Sequence, residues 1–179
     1  MRAKPAGVVV YETKPATEWI LGGPVQKVSP KYAHSVLQGE MNTRLRAWAK
    51  GHGRVGVEWR FWVTPPGEES RYLVPDVAYL SYARLPREAR EAAQEPQLAP
   101  DVAVEILSPD DRQSRVAHKI EVYLLSGSAL VIVVDPQERL VRLHDRTGTT
   151  LLGAADRLEH AALAGFSLRL DEYFAELDT

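Results

Sequence analysis

DVAVEILSPDDRQSRVAHKIEVYLLSGSALVIVVDP, residues 101–136, decides the fold. Asp101–Leu107 is a short, almost continuous apolar run, the pattern of a strand buried on both faces. Ser108-Pro109-Asp110-Asp111 follows as a helix-start signal. Val116, Ile120, Tyr123 and Leu124 then recur at helical spacing, so a helix is expected to run to Ser126 and stop at Gly127. Leu130–Val134 is the most apolar strand of the chain and ends at Asp135-Pro136. A helix therefore crosses between two central strands, which makes this an α/β protein with a sheet of mixed direction.

Downstream, Leu140–Leu143 pairs back across the turn Pro136–Glu138, Gly165–Leu170 reads as a last short strand, and Asp171–Leu177 as a terminal helical turn. Upstream, Val55, Val57, Trp59 and Phe61 alternate with Gly56, Glu58, Arg60 and Trp62, which is strand periodicity. Pro65-Pro66-Gly67 ends that strand and Arg71–Leu80 returns beside it; Pro75 within it predicts an edge or a bulge. Residues 83–100 are polar and Pro-flanked, a surface excursion. Ser29-Pro30 opens a first helix expected to reach about Lys50 and stop at Gly51, with Leu37, Met41, Leu45 and Trp48 as its buried stripe. Residues 1–28 are read as an irregular N-terminal segment packing on the core, and 29–179 as one domain, a mixed central sheet flanked by helices.

The 179 residues suit a single core. Lys and Arg number 22 against 24 Asp and Glu, a formal charge of −2, which excludes a protein that coats nucleic acid by charge alone. With no cysteine there is no disulfide framework, zinc-thiolate site or cysteine nucleophile. No apolar run approaches the ~20 residues of a membrane span, and MRAKPAGVVVYETK lacks the apolar stretch of a signal peptide. The expectation is a soluble, cytoplasmic protein.

Two acids sit where acids are costly. Asp76 lies in LVPDVAYL and Glu105 in VAVEILS, both in strands that otherwise read as buried. An unpaired buried carboxylate costs several kcal/mol, and two within ~4 Å repel by about 4 kcal/mol at an effective dielectric near 20. A cation between them removes both penalties, and an oxygen-only donor set points to a hard ion, most simply magnesium. The plainer alternatives are a locally hydrogen-bonded turn for Asp76 and a structural Lys or Arg beside Glu105. Lys119, on the inner edge of the second helix, can stand near both acids, neutralising them or supporting charge on a phosphate; otherwise it snorkels at the helix edge. Glu40 on the first helix could add a third carboxylate or simply pair with Arg44 at helical spacing.

PDVAYLS at 75–81 and APDVAVEILSPDDRQSRVAHKIEVYLLSGSALVIVVDPQERLVRLH at 99–144 resemble the Uma-two family of restriction-endonuclease-like proteins, part of the PD-(D/E)xK nuclease superfamily. The ordered set Pro75-Asp76, Glu105-x-Leu107-Ser108-Pro109, Lys119, Tyr123, Gly127 and Val134-Asp135-Pro136 carries the likeness, which runs from Tyr32-Ala33-His34 to about His144. It implies a restriction-endonuclease-like fold and a magnesium- or manganese-dependent endonuclease acting on DNA. Asp76 and Glu105 would be metal ligands, the Ile106 carbonyl a third, and Glu40 the first-helix acid. The superfamily lysine usually lies two residues after the strand acid; Leu107 stands there, and the resemblance implies that the lysine has moved to the helix and that Lys119 fills the role. Leu107 also favours the alternative, a catalytically degenerate nuclease fold that binds nucleic acid or a partner. A carboxylate pair acting on sugars is a third reading, which needs an open aromatic cleft and leaves Lys119 idle. Arg44, Arg46, Lys50, His52, Arg54, Arg112 and Arg115 are candidate DNA contacts, Trp62 and Tyr72 could stack on bases, and the Trp59–Trp62 strand could form a homodimer interface.

Overall fold

The computed structural model describes residues 7–179; the first six residues of the expected N-terminal segment lie outside the described residues. Within the remainder of that segment the chain is not irregular throughout. Thr17–Ile20 (β1) and Gly23–Gln26 (β2) form an antiparallel hairpin.

Helix α1 spans Tyr32–Trp48, starting later than Ser29-Pro30 suggests. Lys31 stays extended at the helix entrance, its ammonium 3.1 Å from Asp110. At the other end the chain turns through Gly51 at φ 94°, a conformation glycine adopts without steric cost. Leu37, Met41 and Leu45 are fully buried, as their spacing predicts.

The long hairpin expected from Val55 to Leu80 breaks into two ladders. Gly53–Val57 (β3) pairs with Val77–Ser81 (β6), and Phe61–Val63 (β4) pairs with Arg71–Leu73 (β5) in a separate two-stranded sheet. The break falls at Glu58, which has φ 48°, and at Pro75-Asp76 opposite it. The Glu58 N–H donates to the Asp76 carbonyl at 3.2 Å and closes the gap. Trp62 and Tyr72 are in the core, and the Trp62 indole donates to Glu95 at 3.1 Å. That removes Trp62 from the expected dimer surface and both rings from base stacking. The 83–100 excursion is held by carbonyl contacts from Arg54, Trp59 and Trp62.

Val102–Ile106 (β7) is buried throughout and lies parallel to Leu130–Asp135 (β8), with α2 (Gln113–Leu125) crossing between them. Helix α2 starts after the predicted signal: Ser108–Asp111 closes a turn of its own, the Asp111 N–H on the Ser108 carbonyl at 2.9 Å and the Ser108 N–H on the Asp111 carboxylate at 2.6 Å. Leu140–Asp145 (β9) and Gly148–Leu152 (β10) extend the sheet; β10 was not evident from the sequence. The six-stranded order is β10-β9-β8-β7-β6-β3, parallel only at β7–β8. Arg157–Leu158 (β11) and Leu168–Arg169 (β12) pair as a two-residue ladder, so the expected Gly165–Leu170 strand shortens, and Leu170–Ala175 (α3) closes the chain.

Side chains alternate across a strand, so the two faces carry different cores. Val77, Val104, Ile132 and Val134 pack with α1 and α3; Ala78, Ala103, Val131 and Val133 pack with α2 and the small sheets. Asp76 and Glu105 have the parity of the second set. Both therefore project to the α2 side, at the end where β6 begins and β7 finishes.

Candidate active site

Val77 pairs with Val104, and the Asp76 N–H donates to the Val104 carbonyl at 3.0 Å. Continuing that register by one residue sets Asp76 across from Glu105. The Asp76 Oδ2 accepts the Ile106 N–H at 2.7 Å and lies 3.2 Å from His34 Nε2. Its Oδ1 is 2.6 Å from Lys27 Nζ, which also donates to the Val74 carbonyl and Glu58 Oε1, each at 3.0 Å. Glu105 Oε2 is 2.6 Å from Lys119 Nζ, and Tyr123 donates to Oε1 at 3.2 Å. Lys119 reaches on to Glu18, whose Oε1 accepts the Val74 N–H at 2.7 Å. Glu18, Asp76, Glu105 and Lys119 are each no more than 7 % exposed.

The charges in this network shift one another. Burial raises the Asp76 carboxyl, but the Lys27 ammonium and the His34 hydrogen bond overcome it and hold Asp76 well below the usual carboxylate range. Burial pushes Glu105 up to about 8 against the pull of Lys119, with Asp76 and Glu18 pushing the same way. Burial lowers Lys119, yet Glu105 and Glu18 keep it above the ordinary lysine range. Four carboxylates, those of Glu18, Glu58, Asp76 and Glu105, face only two ammoniums. With all four ionised, the site carries two more negative charges than the two lysines neutralise.

Glu18, Asp76, Glu105, both lysines and His34 line a small cavity of about 70 Å³, with Arg112 and Arg115 at its wall. Among the described residues no cluster of three or more His, Cys, Asp or Glu side chains stands in ligand geometry.

The family model described as "Uma2: Putative restriction endonuclease" matches residues 9–171. The chain belongs to the Uma2 family. A chain from Anabaena variabilis, described as a "putative nuclease belonging to DUF820", is 27 % identical, superposes with a TM-score of 0.83 and covers 94 % of each chain. The restriction-endonuclease-like α/β fold read from the sequence is thus the observed one, and the chain is nuclease-like by family and by structural neighbour. No curated protein matches it.

In this Uma2 chain the structure brings Asp76, Glu105, Ile106 and Lys119 together. Glu40 is not among them: its carboxylate lies 2.6 Å from Arg44 on the α1 surface. Arg44 is therefore engaged as well. Arg54 donates to the carbonyls of Leu85, Pro86 and Arg87 and acts as an anchor of the excursion. Lys50 and Arg46 line a different surface depression beside β3. Arg112 and Arg115 border the carboxylate cavity and form no salt bridge among the described residues. Sequence reasoning missed Glu18, Lys27 and His34. Glu18 and Lys27 come from the hairpin or just after it, and the available signal was a single acid between Thr17 and Trp19 in a short strand beside a Gly22-Gly23-Pro24 turn.

Proposed function

We propose that this Uma2 chain is a metal-dependent deoxyribonuclease that hydrolyses phosphodiester bonds at Asp76, Glu105 and Lys119. The observation that carries the reading is the cross-strand carboxylate pair with Lys119 Nζ 2.6 Å from Glu105. The donor set fits a divalent cation. It is all oxygen, as magnesium or manganese prefers, and it holds two more formal negative charges than the two lysines neutralise. Asp76 and Glu105 would hold the ion, with the Ile106 carbonyl as the third ligand that the family resemblance implies. When bound, such an ion polarises a phosphate oxygen and lowers the pKa of a bound water.

The chain's own groups do the rest. Lys119 supplies a fixed positive charge beside the reacting phosphate, where charge develops, and a preorganised cation is most effective in a dry site. Glu18 and Tyr123 orient the pair: Glu18 holds the Lys119 ammonium from the far side, and Tyr123 fixes Glu105 Oε1. Lys27 compensates Asp76 in the metal-free protein. Arg112 and Arg115, in no salt bridge among the described residues, offer guanidiniums for the flanking phosphates.

The test is incubation with plasmid and single-stranded DNA in magnesium or manganese, comparing Asp76→Ala, Glu105→Ala and Lys119→Ala. Cleavage abolished by each change supports the assignment; nicking that survives all three refutes it. A second reading, a nuclease fold without catalysis, draws on Leu107 in the usual lysine position and on Lys27 at Asp76 Oδ1. Calorimetry separates the two, since only a working site takes up magnesium in an Asp76-dependent manner.

A further inference from the structure

A half-open cavity of about 760 Å³ adjoins the carboxylate site. Leu107, Pro109, Val116, Ile120, Val133 and Pro136 supply apolar wall. Gln113 and Gln137 bring amides to it, and Lys31 and Arg142 bring cations. Its size is that of a small-molecule pocket, which typically runs ~300–1,000 Å³. It adjoins the carboxylate site: His34, Leu107, Ser108, Asp111 and Val116 line both. His34 stands at the junction. Its Nε2 is 3.2 Å from Asp76, while its buried Nδ1 has no hydrogen-bond partner among the described residues.

We infer that this cavity receives the unpaired nucleotide next to the scissile phosphate, so that the substrate is single-stranded DNA or an unpaired end. The inference rests on the nuclease reading and specifies its substrate class. A base in a duplex is stacked and paired and cannot enter a recess of this depth without being flipped out, whereas an unpaired base enters freely. Apolar walls accept the face of any base, and carboxamides can meet its polar edge. Asp111 and Asp135 accept backbone N–H groups of Ser108, Gln137 and Glu138 and keep their charges, which Lys31 and Arg142, the latter 3.9 Å from Asp135, balance on the cavity wall. Arg112 and Arg115 add positive charge at the neighbouring carboxylate site.

Ala117 is exposed on α2 and lines the cavity, and Gln137 is exposed on the opposite wall. Ala117→Trp and Gln137→Trp therefore obstruct it from two sides without touching the core. Glu121→Trp, exposed on the same helix and outside the cavity lining, controls for an added indole. Fluorescence anisotropy of a labelled single strand and its duplex, in EDTA at one fixed salt concentration, reads binding without cleavage. The expected result is tighter binding of the single strand, a loss of about tenfold in each obstructing variant, and no change in Glu121→Trp. Equal binding by both obstructing variants and the parent, or duplex bound as tightly as single strand, overturns the inference. Obstruction-sensitive binding with no nicking refutes hydrolysis and leaves the cavity assignment standing. Asp76-dependent nicking with obstruction-insensitive binding refutes the cavity and leaves the nuclease.

Discussion

Lys119→Met removes the ammonium that lies 2.6 Å from Glu105 and 2.9 Å from Glu18 while keeping most of the side-chain volume. Both carboxylates remain buried. Glu105 retains the Tyr123 hydroxyl at 3.2 Å and Glu18 the Val74 N–H at 2.7 Å, but neither keeps a direct cationic partner. Breaking one side of a buried ion pair typically costs 3–5 kcal/mol, most of it the uncompensated charge left behind. For a domain of this size that corresponds to a fall of roughly 6–20 °C in Tm. The double variant Glu105→Gln/Lys119→Met removes one of the stranded charges with its partner, so the second substitution should recover about half of the loss, about 2 kcal/mol. Urea unfolding followed by circular dichroism measures all three proteins. A Lys119→Met loss below about 1 kcal/mol, the value of an exposed pair, would show that water reaches the ammonium and that the dry-site argument is wrong.

Arg54→Met should free the 83–100 excursion, speeding proteolysis within it at a cost of about 1–3 kcal/mol, and leave DNA affinity unchanged; weakened DNA binding would return Arg54 to the interface. Arg112→Ala and Arg115→Ala should leave Tm unchanged and each lower the slope of log affinity against log salt by about one; an unchanged slope in both would place the DNA elsewhere. Asp145 is held below the ordinary aspartate pKa by hydrogen bonds from the Thr147 hydroxyl, His160 and backbone N–H groups. A depressed folded pKa stabilises above the unfolded value and loses that contribution as pH falls toward the folded one. The stability advantage over Asp145→Asn should therefore hold above pH 3.8 and shrink below it in acid titrations of the unfolding midpoint; a gap independent of pH would show that the carboxylate charge plays no part.

Legibility in the sequence followed the range of the interactions. Asp76 and Glu105 stood out because each interrupts an apolar strand, and a local pattern is enough to see that. Lys119 followed because a single crossover fixes α2 over the end of β7. Glu18 gave no such signal, since it meets Lys119 across 101 residues of sequence. Its strand is only four residues long, too short for alternation to speak. Lys27 carries no local signal and Arg54 reads as a candidate DNA contact, and only the three-dimensional structure gives them carboxylates and carbonyls as partners. The helix starts were misplaced for a local reason: Ser29 and Ser108 carry capping chemistry, but Ser108 closes a separate turn with Asp111, and the chain is still extended at Lys31 before α1 begins.

The place of Leu107 connects the chemistry with the adjoining cavity. Residues two apart on a strand share a face, so a lysine at 107 would project beside Glu105. Here Leu107 lines both cavities, and the ammonium arrives instead from α2 through Lys119. The strand slot is thereby released for an apolar side chain at the junction of the two spaces. A charged group there would need its own counterion and would hold water in the passage. Delivering the charge from the helix keeps the cation beside Glu105 while leaving Leu107 and Val116 as apolar side chains between the carboxylates and the larger recess, next to His34, Ser108 and Asp111. That arrangement requires a second carboxylate to hold the displaced ammonium, and Glu18 on β1 supplies it. The hairpin, the helix-borne lysine and the leucine in the strand are thus parts of one solution to the placement of a single positive charge.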